Sequence, residues 1–157
     1  MKINKIFLTM ILIALVATIG FVAAEDATIG PYTFTIPDGY TIATQTDDTI
    51  AMQLDANNAL SFATGISDDI ESSKQTLISQ GQELISEEEI DFNNMHFNIQ
   101  AFKTDKDGTT LYSYNYICLS DDGNFVLTVV TDNADFDSDL NAEDNVAGTL
   151  LGSLSTS

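Results

Sequence analysis

The 157-residue chain has no arginine and no tryptophan, one histidine, one cysteine and two prolines. Each scarcity removes a class of chemistry. A single cysteine, Cys118, cannot close an intramolecular disulfide, so a packed core must supply the stability. Structural zinc needs several Cys or His ligands at close spacing, and His96 with Cys118 falls short of that set. No Gly-x-Ser-x-Gly elbow, Gly-x-Gly-x-x-Gly turn or P-loop occurs, so the usual marks of a serine hydrolase, a dinucleotide site and an NTPase are missing. None of the asparagines begins an Asn-x-Ser/Thr sequon.

Positive charge is the scarcest resource, and its placement is informative. Lys2 and Lys5 open the chain, and an apolar run follows from Ile6 to Phe21. The run ends in Val22-Ala23-Ala24, with small residues at the −3 and −1 positions of a cleavage site. Residues 1–24 therefore read as a signal peptide, with a mature chain from Glu25. The alternative is an uncleaved anchor, because Ile6–Ala24 approaches the roughly 20 residues that span a bilayer. In both cases the remainder is extracytoplasmic, secreted or held at the cell surface, and contact with a membrane is confined to residues 6–24.

Residues 25–157 keep all 24 acidic residues against Lys74, Lys103 and Lys106 alone, a formal charge of −21. A field of that sign repels nucleic acid and anionic lipid, keeps an exported protein soluble and draws basic partners. The partner is expected to be a protein or a component of the cell envelope.

The pattern along the chain is that of one domain, residues 32–154, after a lead-in at 25–31 and before a polar tail at 155–157. Tyr32, Phe34 and Ile36 alternate with Thr33 and Thr35, the period-two mark of a half-buried strand. Pro37-Asp38-Gly39 turns the chain into a second strand at 40–44. A hairpin at 49–65 crosses Asp55-Ala56-Asn57-Asn58. Ile70, Leu77, Ile78, Gly81, Leu84 and Ile85 then fall on one helical stripe, which predicts a helix over 69–86. Asp68 and Glu71 resemble its capping box, and Glu87-Glu88-Glu89 marks its end. Four β segments follow: Ile90–Phe92, Met95–Lys103, Thr109–Leu119 and Asn124–Thr131. Asp105-Lys106-Asp107-Gly108 and Ser120-Asp121-Asp122-Gly123 supply the turns before and after Thr109–Leu119. A closing helix carries Leu140, Ala147, Leu150, Leu151 and Leu154 on one face, capped by Asn141 or Ser138. The fold class is α+β: a mainly antiparallel sheet with one inserted helix and one C-terminal helix, an α/β/α-type sandwich. Thr109–Leu119 fits its centre, with Leu111, Ile117 and Leu119 facing one way and Tyr112, Tyr114, Tyr116 and Cys118 the other.

Phe34-Thr35-Ile36-Pro37-Asp38-Gly39-Tyr40 resembles the opening of PsbP-like domains, where an aromatic-containing strand runs into Pro-x-Gly-aromatic. The order of hairpins, helix, long antiparallel strands and C-terminal helix is similar over residues 32–154. The resemblance implies a sheet between helices and an assembly, stabilising or binding role at membranes. It carries no functional residue onto this chain.

Cys118 lies in an apolar strand and is expected to be packed and inert, since a reactive thiolate wants an electropositive, part-exposed site. His96 lies opposite the apolar face of its strand, as a surface histidine. One cluster points to a ligand. Asp132, Asp135, Asp137 and Asp139 repeat side-chain oxygens as a calcium loop does. The run lacks the turn glycine and the closing glutamate of an EF-hand, and it also suits the approach to a helix N-terminus. Weak calcium is the one cofactor expected. Two functions follow. One is a non-catalytic exported or cell-surface domain that binds or stabilises a partner. The other is an extracytoplasmic hydrolase with an unrecognised carboxylate or serine site.

Overall fold

The computed structural model describes residues 25–121 and 123–156, so the signal-peptide reading of residues 1–24 lies outside it. Within these residues the chain is α+β and mostly antiparallel sheet, with two helices. A three-stranded sheet contains β1 (Asp26–Ile29), β2 (Tyr32–Thr35) and β10 (Ser155–Thr156), in the order β1-β2-β10. The lead-in and the tail thus both contribute strands, each pairing antiparallel with β2.

The larger sheet contains β3 (Thr41–Gln45), β4 (Thr49–Gln53), β5 (Ala59–Thr64), β6 (Glu83–Phe92), β7 (Met95–Lys106), β8 (Thr109–Cys118) and β9 (Phe125–Thr131). Its order is β3-β4-β5-β9-β8-β7-β6, antiparallel throughout. The β7–β8 loop is only Asp107-Gly108, with φ of 52° and 83°, the left-handed pair that a two-residue hairpin demands. Asn93-Asn94 does the same between β6 and β7, with φ of 50° and 60°.

The inserted helix is shorter than its apolar stripe suggests. Helix α1 spans Ile70–Ser79, capped by Asp69, whose carboxylate accepts the Ser72 N–H at 2.9 Å. The chain turns at Gly81, φ 92°, and Glu83–Phe92 becomes strand β6. Helical spacing in 81–86 was coincidental. Pairing with β7 along the length of β6 satisfies more backbone than one further helical turn, and propensity is the weaker constraint. Glu87, Glu88 and Glu89 therefore line a sheet edge, which their charge protects from pairing with another chain. Ile78 and Ile85, expected inside, are 38% and 49% exposed.

The C-terminal helix is also shorter than read. Helix α2 spans Val146–Gly152, and its cap is Asn145 rather than Asn141 or Ser138. Leu140 is buried from the loop before it.

The main core lies between the larger sheet and the smaller one. Phe34 and Tyr32 of β2 meet Phe62 and Phe125 of the larger sheet, with centroids 5.0–5.7 Å apart. Ala147, Leu150 and Leu151 of α2 join this cluster, as do Tyr114, Tyr116 and Cys118. A second cluster on the opposite face holds Ala63, Phe102, Ile117 and Val126 with Leu77 and Ile70 of α1. The two-sided apolar character of β8 thus reflects cover on both faces, by α1 on one and by the smaller sheet together with α2 on the other. Leu119 is the exception: it lies past the strand and is 42% exposed.

Candidate functional site

A cleft of about 460 Å³ opens at one end of the two sheets. Two connections and one packing contact build it. The Asn93-Asn94 turn brings Asn94, Met95 and His96 to one wall. The end of β8 brings Cys118, Leu119, Ser120 and Asp121 to the next. Tyr32 and Thr156 of the smaller sheet face them, over Phe125. The Tyr32 hydroxyl donates to the Gly123 carbonyl at 3.2 Å, and its ring meets Phe125 edge-on at 5.0 Å. Ser120 Oγ donates to the same carbonyl at 2.7 Å, so the β8–β9 connection is braced from within and by the smaller sheet.

Two groups with chemical potential lie here, Cys118 and His96. Cys118 is 3% exposed, and burial pushes its thiol above the usual range. His96 is exposed as expected, but its Nδ1 lies 2.7 Å from Asp91 and its Nε2 3.5 Å from Glu89. These hydrogen bonds, Asp91 first, hold its imidazole protonated to higher pH than usual.

The four aspartates of the calcium expectation lie along one loop with different partners. The Asp132 carboxylate accepts from Asn57 Nδ2 at 3.0 Å and Asn58 Nδ2 at 3.4 Å, tying the loop to the β4–β5 hairpin. Asp137 Oδ1 accepts the Asp139 N–H at 3.0 Å, and Asp139 Oδ1 accepts the Asn141 N–H at 2.9 Å. Asp135 is exposed, and its backbone N–H donates to Asn133 Oδ1 at 3.0 Å. Among the described residues no three acidic, His or Cys side chains converge on a point that could hold a metal.

Two features escaped the sequence. Asn145 is a buried hub: its Nδ2 donates to the carbonyls of Asp137 and Asp139 at 2.9 Å each, while its Oδ1 caps α2. The second is a polar row across the larger sheet. Ser61, Thr128, Asn115, Gln100 and Glu87 are successive cross-strand partners on five neighbouring strands. Gln100 alternates with the apolar face of β7 and looks solvent-facing in sequence, yet it is fully buried. Its Nε2 donates to Glu87 at 2.9 Å, and Lys74 of α1 reaches the same carboxylate at 3.0 Å. That contact holds Glu87 below the usual carboxylate range. The signal in the sequence was Lys74 itself, one of three cations after residue 24 and one turn from Leu77.

No protein family and no curated protein matches the chain. Among solved structures it is similar to a protein from Bacteroides thetaiotaomicron, at a TM-score of 0.55 and 10% identity over 81% of this chain. The match covers 45% of that protein, so this chain spans less than half its length. At that identity the likeness is one of fold. A Pseudomonas aeruginosa protein of unknown function, described as a putative regulator, matches at a TM-score of 0.43 and 11% identity, over 71% of this chain and 85% of its own.

Proposed function

We propose that this chain is a non-catalytic exported or cell-surface domain that binds or stabilises a partner, most plainly through the cleft at the Asn93–Asn94 end. The observation that carries the reading is the make-up of that cleft. Its floor is Tyr32, Met95, Cys118 and Phe125, with a fringe of hydrogen-bonding groups, the form of a recognition site. The groups a hydrolase would need there are otherwise engaged. Cys118 is buried, both ring nitrogens of His96 are engaged by Asp91 and Glu89, and Ser120 donates to backbone. The PsbP-like resemblance supports the same role. The α/β/α sandwich belongs to this reading, with α1 on one face of the larger sheet and α2 joining the core on the other. No helix among the described residues is long and apolar enough to cross a membrane.

Crosslinking in the intact source cell tests the reading. The chain should be recovered outside the cytoplasm, with an intact mass starting at Glu25, joined to a reproducible partner. A purified chain that turns over ester, amide or glycoside substrates, and loses that turnover in Asp121→Asn or Ser120→Ala, would replace this proposal with the hydrolase.

A further inference from the structure

We propose that the cleft takes an apolar side chain flanked by Lys or Arg from a partner polypeptide. This inference rests on the partner-binding reading and names the chemistry of the partner.

The interior sets the first half of the specificity. Met95 and Leu119 give the cleft its accessible apolar surface, which gains from excluding water, above the buried Tyr32, Cys118 and Phe125. Leu119 stands at the mouth and is 42% exposed. An apolar insert would cover it and remove that area from water. Met95 adds an unbranched, polarizable side chain that adapts to different inserts.

The rim sets the second half. Asp121 lines the cleft. Asp91 and Glu89 stand behind His96, so two carboxylates share one histidine ring. The balance at the mouth is negative, and none of Lys74, Lys103 and Lys106 lines it. Asn94, Ser120 and Thr156 offer hydrogen-bonding side chains beside it. Among the described lining residues only His96 could meet an acidic peptide, and its ring is already engaged by Asp91 and Glu89. A second copy of this chain is a poor occupant, because it brings the same rim and a formal −21 of its own over residues 25–157. A basic segment is attracted by the whole field and retained by the cleft.

Methionine methyl NMR reads this directly. Residues 25–157 contain only Met52 and Met95. Met52 is fully buried in the main core, while Met95 lines the cleft, so one signal reports and the other controls. The chain as purified from its cell is titrated at 0.15 M sodium chloride with three capped peptides: Lys-Leu-Phe-Lys, Lys-Ser-Ser-Lys and Glu-Leu-Phe-Glu. The first should shift the Met95 methyl saturably and leave Met52 unmoved; the other two should move neither. Leu119→Ser should weaken the first peptide at least fivefold and Asp121→Asn at least threefold. Leu54→Ser, at an equally exposed leucine outside the cleft, should not change it. Equal responses to the two basic peptides would reduce the interaction to diffuse attraction and overturn the proposal. So would an unmoved Met95, or a response indifferent to both cleft variants. If crosslinking captures the same partner with Leu119→Ser and Asp121→Asn as with the parent, the partner-binding reading stands and the cleft is not its site. Saturable binding at Met95 with no partner in the cell upholds the cleft and rejects that reading.

Discussion

Asn145 should be the residue on which the C-terminal third of the chain depends most, and two substitutions separate its roles. It is 2% exposed. Its Oδ1 accepts the Gly148 N–H at 3.1 Å, and its Nδ2 spends both protons on the carbonyls of Asp137 and Asp139. Asn145→Ala removes the helix cap, about 1 kcal/mol. It also strands the Asp137 carbonyl, about 1 kcal/mol, while the Asp139 carbonyl keeps the Ala142 N–H at 3.0 Å. The total, about 2 kcal/mol, corresponds to roughly 7 °C in Tm for a domain of this size. Asn145→Asp is the sharper test. Aspartate caps a helix as well as asparagine does, so a residue that only capped α2 would tolerate the change. Here the new carboxylate faces two carbonyl oxygens with no proton to give them, and its charge is buried. At pH 7 it should cost at least as much as alanine. Protonation would restore one donor, so the folded state should raise the pKa of the new carboxyl. Stability from the protonated form is then complete below the unfolded pKa and lost as pH rises through the folded one. The gap in Tm between variant and parent should accordingly narrow from pH 7 to pH 5. Thermal melts followed by circular dichroism at both values decide it. A variant melting within 2 °C of the parent at pH 7 would refute the hub and leave a simple cap.

Two glycines of α2 should respond oppositely to alanine. A Cβ on Gly148 would collide with the Leu140 carbonyl oxygen, whereas one on Gly152 meets nothing within 4 Å. Overpacking of about 1–3 kcal/mol should outweigh the helix propensity gained by Gly148→Ala, while Gly152→Ala should be neutral or stabilising; urea midpoints that fall together would contradict this. Cys118 should label with a thiol reagent only as fast as the domain unfolds, since burial protects it and raises its pKa; equal rates in native buffer and denaturant would show it exposed. The melting midpoint should rise between low and 0.15 M sodium chloride, where screening limits repulsion among the acidic groups to about 8 Å, and a flat or falling series would remove charge repulsion as a determinant. Calcium at Asp132, Asp135, Asp137 and Asp139 should be weak, with Kd about 10⁻⁴ to 10⁻³ M. At high sodium chloride it should raise the midpoint more than magnesium does, and Asp135→Asn with Asp137→Asn should abolish that difference; equal effects of the two ions would leave the loop a helix approach.

What local sequence encodes, it encodes well. Alternation at Tyr32–Ile36 marks a strand that buries its aromatic face, and Asp107-Gly108 marks a hairpin because few other pairs accept two left-handed residues. The two-sided β8 announces a sheet covered on both faces. The absence of arginine and the single cysteine bound the chemistry before any fold is known. Residues 81–92 show the limit. Their apolar spacing fits a helix and a strand alike, and only the partner β7, supplied from later in the chain, makes the strand the better way to satisfy their backbone. The same holds for the cleft, the polar row and Asn145. Each joins residues separated in sequence: Tyr32 with Gly123, Lys74 with Glu87, Asn145 with Tyr116. Periodicity and composition describe what a segment can bury, whereas the neighbour it is buried against is settled when long-range packing repays the entropy of closing the loops between them.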